Sequence, residues 1–215
     1  MKQEILTNRR EKLEISAVVL TGFLKFILMD WLGLRLPYIL AASLFWSVYV
    51  FRTYKFNPER LKYWGFQSAF LKSSFQALFP FALVFIFLIT AYGLLIGAGF
   101  FNWHIVPILL LYPAWGIIQQ FMMVGLVARN LKSLTGVQLT DSQVILFTSF
   151  LFALVHYPSL PLMGYAFILE VLFIWIYLKR PNLWSLGLYH GWISALFIFF
   201  VLKRDLWSEL WKLFH

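Results

Sequence analysis

Eight polar side chains lie inside apolar stretches of this 215-residue chain: Lys25, Asp30, Gln119, Gln120, His156, Glu170, His190 and Ser194. Polar groups at membrane depth are costly, so each is a candidate for function before it is a candidate for anything else. The chemistry on offer is specific. An imidazole takes up or releases a proton near neutral pH, a carboxyl group serves as acid or base, and amides and hydroxyls donate hydrogen bonds to a developing oxyanion. The chain has no cysteine, which excludes disulfides, thiolate metal sites and thiol catalysis, and with them sortase-like membrane transpeptidases. Lys25 and Asp30 stand five apart near the end of an apolar run, where a lysine reaching for the interface and a loose ion pair account for both.

The elements that must position these groups follow from composition. Hydrophobic residues make up 61% of the chain and charged residues 13%, with a mean hydropathy of +0.78. A soluble domain carries about a quarter charged residues, enough to cover its surface. Ten Trp and ten Tyr suit the two interfaces of a bilayer. The pattern predicts an all-α, polytopic transmembrane bundle, because in lipid every backbone polar group must be bonded within the protein. A span needs about 20 apolar residues. Seven stretches meet or approach that length, at 15–34, 37–51, 76–98, 105–128, 142–158, 161–178 and 183–202. The second is short and forms half of a hairpin turning at Gly33 to Pro37. Without repeats or linkers the chain reads as one structural domain. Residues 1–74 form the first spans and a basic loop, 75–202 the core, and 203–215 an amphipathic tail.

The +9 net charge is placed as membrane topology requires, so it does not imply nucleic acid as a partner. With the N-terminus in the cytoplasm, the inner segments hold Lys2, Arg9, Arg10, Lys12, Arg52, Lys55, Arg60, Lys62, Lys72, Arg129, Lys132, Lys179 and Arg180, and the outer loops little beyond Arg35. That is a positive-inside asymmetry. Seven spans leave Lys203, Arg204 and Lys212 outside. Either an eighth span intervenes, or the tail, with Leu206, Trp207, Leu210, Trp211 and Phe214 on one face, is an interfacial helix outside the charge rule. The polar N-terminus lacks the features of a cleaved signal, and an integral protein of a bacterial plasma membrane is the expected setting. The basic 52–72 segment suits anionic headgroups, as ordinary topology also does. No small-xxx-small seam stands out between helices.

Depth arguments bring the polar groups to one layer. A helix starting at Pro113 puts Gln119 and Gln120 about 9–10 Å below the outer edge. By the same rise His156 lies roughly 10 Å, Glu170 about 14 Å and His190 some 18 Å below it, differences that helix tilt absorbs.

Three stretches then resemble a known family. They read QQFMMVG at Gln119 to Gly125, FALVH at Phe152 to His156 and HGWIS at His190 to Ser194. Their order and spacing resemble the CPBP (Abi, CAAX-protease-like) intramembrane proteases, whose pattern is Glu-Glu-x-x-Phe-Arg-Gly, then Phe-x-x-x-His, then His-x-x-x-Asn. The resemblance covers about residues 75–202. It implies a glutamate and the first histidine activating water, with the second histidine and the asparagine holding the oxyanion. Here Gln119 and Gln120 stand for both glutamates, Met123 and Val124 for the Phe-Arg pair, and Ser194 for the asparagine. An amide has no basic site near neutral pH.

Three readings follow. In the first the protein is a protease, with His156 as base, the Gln pair orienting water or substrate, and Glu170 supplying the missing carboxylate. A neutral Glu170 bonded to a neighbouring helix is the competing role for that acid. In the second reading hydrolysis is lost and the protein binds hydrophobic or lipidated peptides or serves as a scaffold. In the third, His156 and His190 ligate a haem or a metal, although no further partner that would orient the rings is visible. No cofactor is expected. The partners expected are the lipid bilayer and a membrane-associated peptide or protein substrate.

Overall fold

A computed structural model describes residues 2–98 and 102–211, and of residues 2–7 and 210 the backbone only. The expected contributions of Leu210, Lys212 and Phe214 to the tail therefore lie outside the described side chains. Among the described residues all regular secondary structure is helical. Five helices are long and apolar enough to cross a membrane: Arg35–Phe56, Leu71–Leu95, Ile105–Ser133, Leu160–Lys179 and Leu183–Val201. The architecture is an all-α membrane bundle.

The first helix, α1, runs Lys2–Lys25 and continues as a wide, i→i+5 turn at Phe26–Trp31. Its polar first half makes it longer and less apolar than the expected span. The turn to α2 (Arg35–Phe56) passes through Gly33 at φ +69°, a conformation glycine adopts without cost. With 22 residues, α2 is a full span rather than the short one expected. Pro58 opens the short α3 (Pro58–Trp64), where its missing N–H costs nothing. Then come α4 (Leu71–Leu95) and α5 (Ile105–Gln120). The latter runs on through a wide-turn segment at Phe121–Ala128 into α6 (Arg129–Ser133), giving one continuous 29-residue helix. Next, α7 (Asp141–Leu154) starts at a reciprocal cap between Thr140 and Gln143 and is only 14 residues long. The expected fifth span thus ends two residues short of His156, in a turn. Two further long helices, α8 (Leu160–Lys179) and α9 (Leu183–Leu196), are joined by a tight connection in which Asn182 caps Ser185 N at 3.0 Å. A wide turn at Phe197–Val201 extends α9, and α10 (Leu206–Trp211) is capped by Asp205.

The centre of the bundle is α9. Two thirds of its span, 67%, is buried against 11% for α2, which therefore lies at the periphery. Helix α5 packs on one side of α9, α4 on another, and the α7–α8 hairpin closes the remainder. The α5–α9 contact is backbone on backbone. A methyl group on Gly116 would meet the Gly187 carbonyl and the Gly191 backbone, one on Gly187 would meet Ile117, and one on Gly191 would meet Pro113. This small-residue seam corrects the expectation that none is present, and Gly187-x-x-x-Gly191 was its signature. Pro113 is corrected with it: it lies inside α5, facing Gly191, and does not start the helix.

Both ends of the bundle are tied by polar contacts. At the end holding α3 and α6, Glu14 accepts from Tyr49 Oη at 2.6 Å, Asn130 Nδ2 at 2.7 Å and Arg60 at 2.9 Å. Four elements, α1, α2, α3 and α6, meet there. At the opposite end Asp205 bonds His104 Nδ1 at 2.5 Å, and Lys203 donates to the Ile96 carbonyl at 2.7 Å. Lys203 and Arg204, awkward for the charge count, are thus held by the bundle, Arg204 through Glu209 at 2.6 Å.

Candidate functional site

Four of the polar residues singled out by the sequence form one hydrogen-bonded chain across α5, α8 and α9. Gln120 Nε2 lies 2.8 Å from Glu170 Oε2 and 3.1 Å from His190 Nδ1. An amide nitrogen only donates, so both its hydrogens are spent and His190 Nδ1 is the acceptor. The imidazole proton of neutral His190 is then on Nε2, and it is donated to Gln119 Oε1 at 3.1 Å. The amide of Gln119 is thereby turned with its oxygen inward. Its Nε2 has no partner among the described residues, and the side chain is partly exposed. Two adjacent glutamines grip one ring from both edges, and the wide turn that starts at Phe121, directly after them, re-aims the helix at this point.

Burial is nearly complete. Gln120 and Glu170 are fully buried and His190 is 3% exposed. The second oxygen of Glu170 and the amide oxygen of Gln120 find no protein partner. No cation reaches the carboxyl group; Gln120 is its only donor among the described residues.

His156 joins the group through Phe152. The Phe152 ring centre lies 4.8 Å from that of His156 and 5.5 Å from that of His190, so the imidazoles are no farther apart than the sum of those distances. His156 Nδ1 donates to the Phe152 carbonyl at 2.7 Å. A carbonyl cannot donate, so in the neutral ring the lone pair is on Nε2. The turn carrying His156 is braced from outside by Lys25, which donates to the Tyr157 carbonyl at 2.8 Å and to Asp30 at 2.6 Å. The expected ion pair is present, and the Tyr157 carbonyl is a second anchor that residue spacing does not reveal.

Ser194 is not part of the chain. It bonds Tyr165 Oη at 3.0 Å instead. Ser194 follows His190 by four residues and shares its helix face, but its partner comes from α8. Nor do the glutamines lie near a helix end, as expected from a start at Pro113. Counted from Ile105, Gln119 is about 21 Å along a 29-residue helix, close to its middle. Glu170 lies about 15 Å into α8. Arg129, on the same continuous helix as the glutamines, stacks on Tyr63 at 4.8 Å. Among the described residues no three His, Asp or Glu side chains group to hold a metal ion, and both nitrogens of His190 are engaged by amides.

What this geometry holds is a lone pair on His156, an outward amide donor on Gln119, and three buried groups that fix the donor's direction. No curated protein and no solved structure matches the chain. Residues 101–196, which contain Gln119, Gln120, His156, Glu170, His190 and Ser194, match the family model of the type II CAAX prenyl endopeptidases, Rce1-like, a match consistent with a member of the CPBP family.

Proposed function

We propose that the protein is an intramembrane endopeptidase that hydrolyses a peptide bond in a membrane-associated protein or peptide. The observation that carries this reading is the open Nε2 lone pair of His156, separated from the Gln119–His190–Gln120–Glu170 chain by one aromatic ring. In the reaction His156 Nε2 takes a proton from water as the water oxygen bonds to the scissile carbonyl carbon. The carbonyl π pair moves to oxygen, where the Gln119 N–H meets the developing charge. Collapse restores the carbonyl and breaks the C–N bond, and the proton held on His156 passes to the leaving amine. His190, Gln120 and Glu170 act as positioning residues: the carboxyl accepts from Gln120, Gln120 sets the His190 tautomer, and His190 orients Gln119.

The charge asymmetry supports a cytoplasmic N-terminus and a plasma-membrane setting, with residues 75–202 as the core and the flanking segments as braces. The test uses purified protein in proteoliposomes and a fluorogenic peptide ending in a prenylated CAAX sequence. His156→Ala is expected to lower kcat by about 10²–10⁴-fold, the range for loss of a general base. Cleavage by His156→Ala at the rate of the unsubstituted protein would refute the reading.

A further inference from the structure

The hydrogen-bond donors around the site are nearly all committed. His156 Nδ1–H is committed to the Phe152 carbonyl. His190 Nε2–H is committed to Gln119, and both Gln120 hydrogens to Glu170 and His190. Only the Gln119 amide is left to meet an oxyanion, yet such sites commonly use more than one preorganised donor.

Directly beyond the chain lies a second polar layer. Ser194 is one helical turn past His190 on the same face of α9, and Tyr165 is five residues before Glu170 on α8. Both displacements run toward the end of the bundle where the His156 turn lies. The two hydroxyls bond each other at 3.0 Å and have no other partner among the described residues. The layer thus bridges α8 and α9, two of the three helices that build the chain. Two hydroxyl groups carry two protons, and one bond between them uses one. One O–H donor therefore stays unspent in a place almost sealed from solvent, with Tyr165 8% and Ser194 4% exposed. Such a donor is costly to bury for nothing.

We infer that Tyr165 is a catalytic residue, its hydroxyl donating with the Gln119 amide to the carbonyl oxygen of the scissile bond while Ser194 holds it in place. The inference rests on the proteolytic reading above. Tyrosine has the reach that serine lacks. Its ring is stacked on Phe197 at 4.0 Å between centres, which fixes the direction of the hydroxyl.

The test uses the full-length protein in proteoliposomes with the same prenylated fluorogenic peptide. Tyr165→Phe removes one oxygen and keeps the stack on Phe197. It is expected to lower kcat by about 100-fold, the lower range for loss of one oxyanion donor, with KM within about twofold. Adding Ser194→Asn to Tyr165→Phe puts an amide donor on the His190 face of α9 and is expected to recover most of the lost kcat. Full activity of Tyr165→Phe alongside an inactive His156→Ala overturns the inference and leaves the proteolytic reading standing. A Tyr165→Phe loss accompanied by a lowered melting temperature, and not rescued by Ser194→Asn, overturns it as well, because the hydroxyl pair is then only a structural bond. If His156→Ala cleaves like the unsubstituted protein, the reading beneath the inference falls and takes the inference with it.

Discussion

Glu170 separates two chemistries. A carboxylate that serves as base must be able to take a proton, whereas a positioning acceptor needs only an oxygen facing Gln120. Glu170→Gln keeps that oxygen. The Gln120 N–H, now 2.8 Å from Glu170 Oε2, retains its acceptor, and the new amide nitrogen takes the place of a Glu170 oxygen that already lacks a partner. The expected result is a kcat within about threefold of the unsubstituted protein, because the number of unpaired buried groups does not rise. Glu170→Leu removes the acceptor and strands a buried N–H, at about 1–3 kcal/mol. If that cost is transmitted through His190 to Gln119, kcat falls by about 5- to 150-fold, at tenfold per 1.36 kcal/mol. The assay is steady-state cleavage of the prenylated peptide by the three proteins, with melting temperatures measured in the same detergent. A Glu170→Gln variant as inactive as His156→Ala would refute the positioning role and make the carboxylate itself the base, standing in from α8 for the glutamates absent from α5.

Two further predictions concern the frame. Gly191→Ala pushes a methyl group into the Pro113 backbone, which cannot swing aside, and is expected to cost about 1–3 kcal/mol of stability and to separate His190 from Gln119; Gly164→Ala, where nothing lies within 4 Å, is the neutral control in the same thermal melts and cleavage assay. Glu14 gives a pH dependence: burial alone would raise its pKa, but the bonds from Tyr49, Asn130 and Arg60 outweigh it and hold the carboxyl below its ordinary 4.5. Its contribution is therefore complete above the unfolded value and lost as pH falls through the lower native one, so melting temperature should drop on acidification from about pH 6 to pH 3, and Glu14→Gln should flatten that drop.

Which parts were readable from the sequence follows from what lipid penalises. Gln119, Gln120, His156, Glu170 and His190 stood out because an amide, an acid or an imidazole within an apolar run has to find partners, and four of the five are found bonded together. The starts of α7 and α9 lie at the capping residues Thr140 with Gln143 and at Asn182, which the hydropathy of the spans does not mark. Pro113 misled for a physical reason. Its preference for a first turn assumes that a missing N–H must be harmless at a helix end, but inside a bundle it is tolerated where a neighbour comes close, and here the neighbour is Gly191. Ser194, which the resemblance puts in the asparagine's place with His190, shares that ring's helix face by i,i+4 spacing, but spacing does not say which other helix supplies the partner. Tyr165 drew no notice, since aromatic residues at helical spacing in an apolar run are ordinary packing. The Gly187–Gly191 spacing is present in the sequence, but a single small-xxx-small pair does not say which helix it faces.

The seam and the glutamines belong to one argument. A glutamate pair on α5 would bring two carboxyl groups against His190 at mid-bundle, each needing donors or protons of its own. Replacing both with amides removes that requirement, and it changes what the position can do. A carboxylate accepts only; an amide both accepts and donates, so a Gln–His–Gln order can pass a direction along from a single buried acid. Glu170 needs just one donor, Gln120 supplies it, and each later bond sets the orientation of the next until the Gln119 N–H points away from the ring. That order holds only while α5 and α9 touch backbone to backbone, because a glutamine side chain spans a short gap and no more. Gly116, Gly187 and Gly191 hold the helices at that distance. In the proposed reaction the base has then left α5 altogether, and proton transfer rests on His156 in its braced turn, outside the chain that aims the donor.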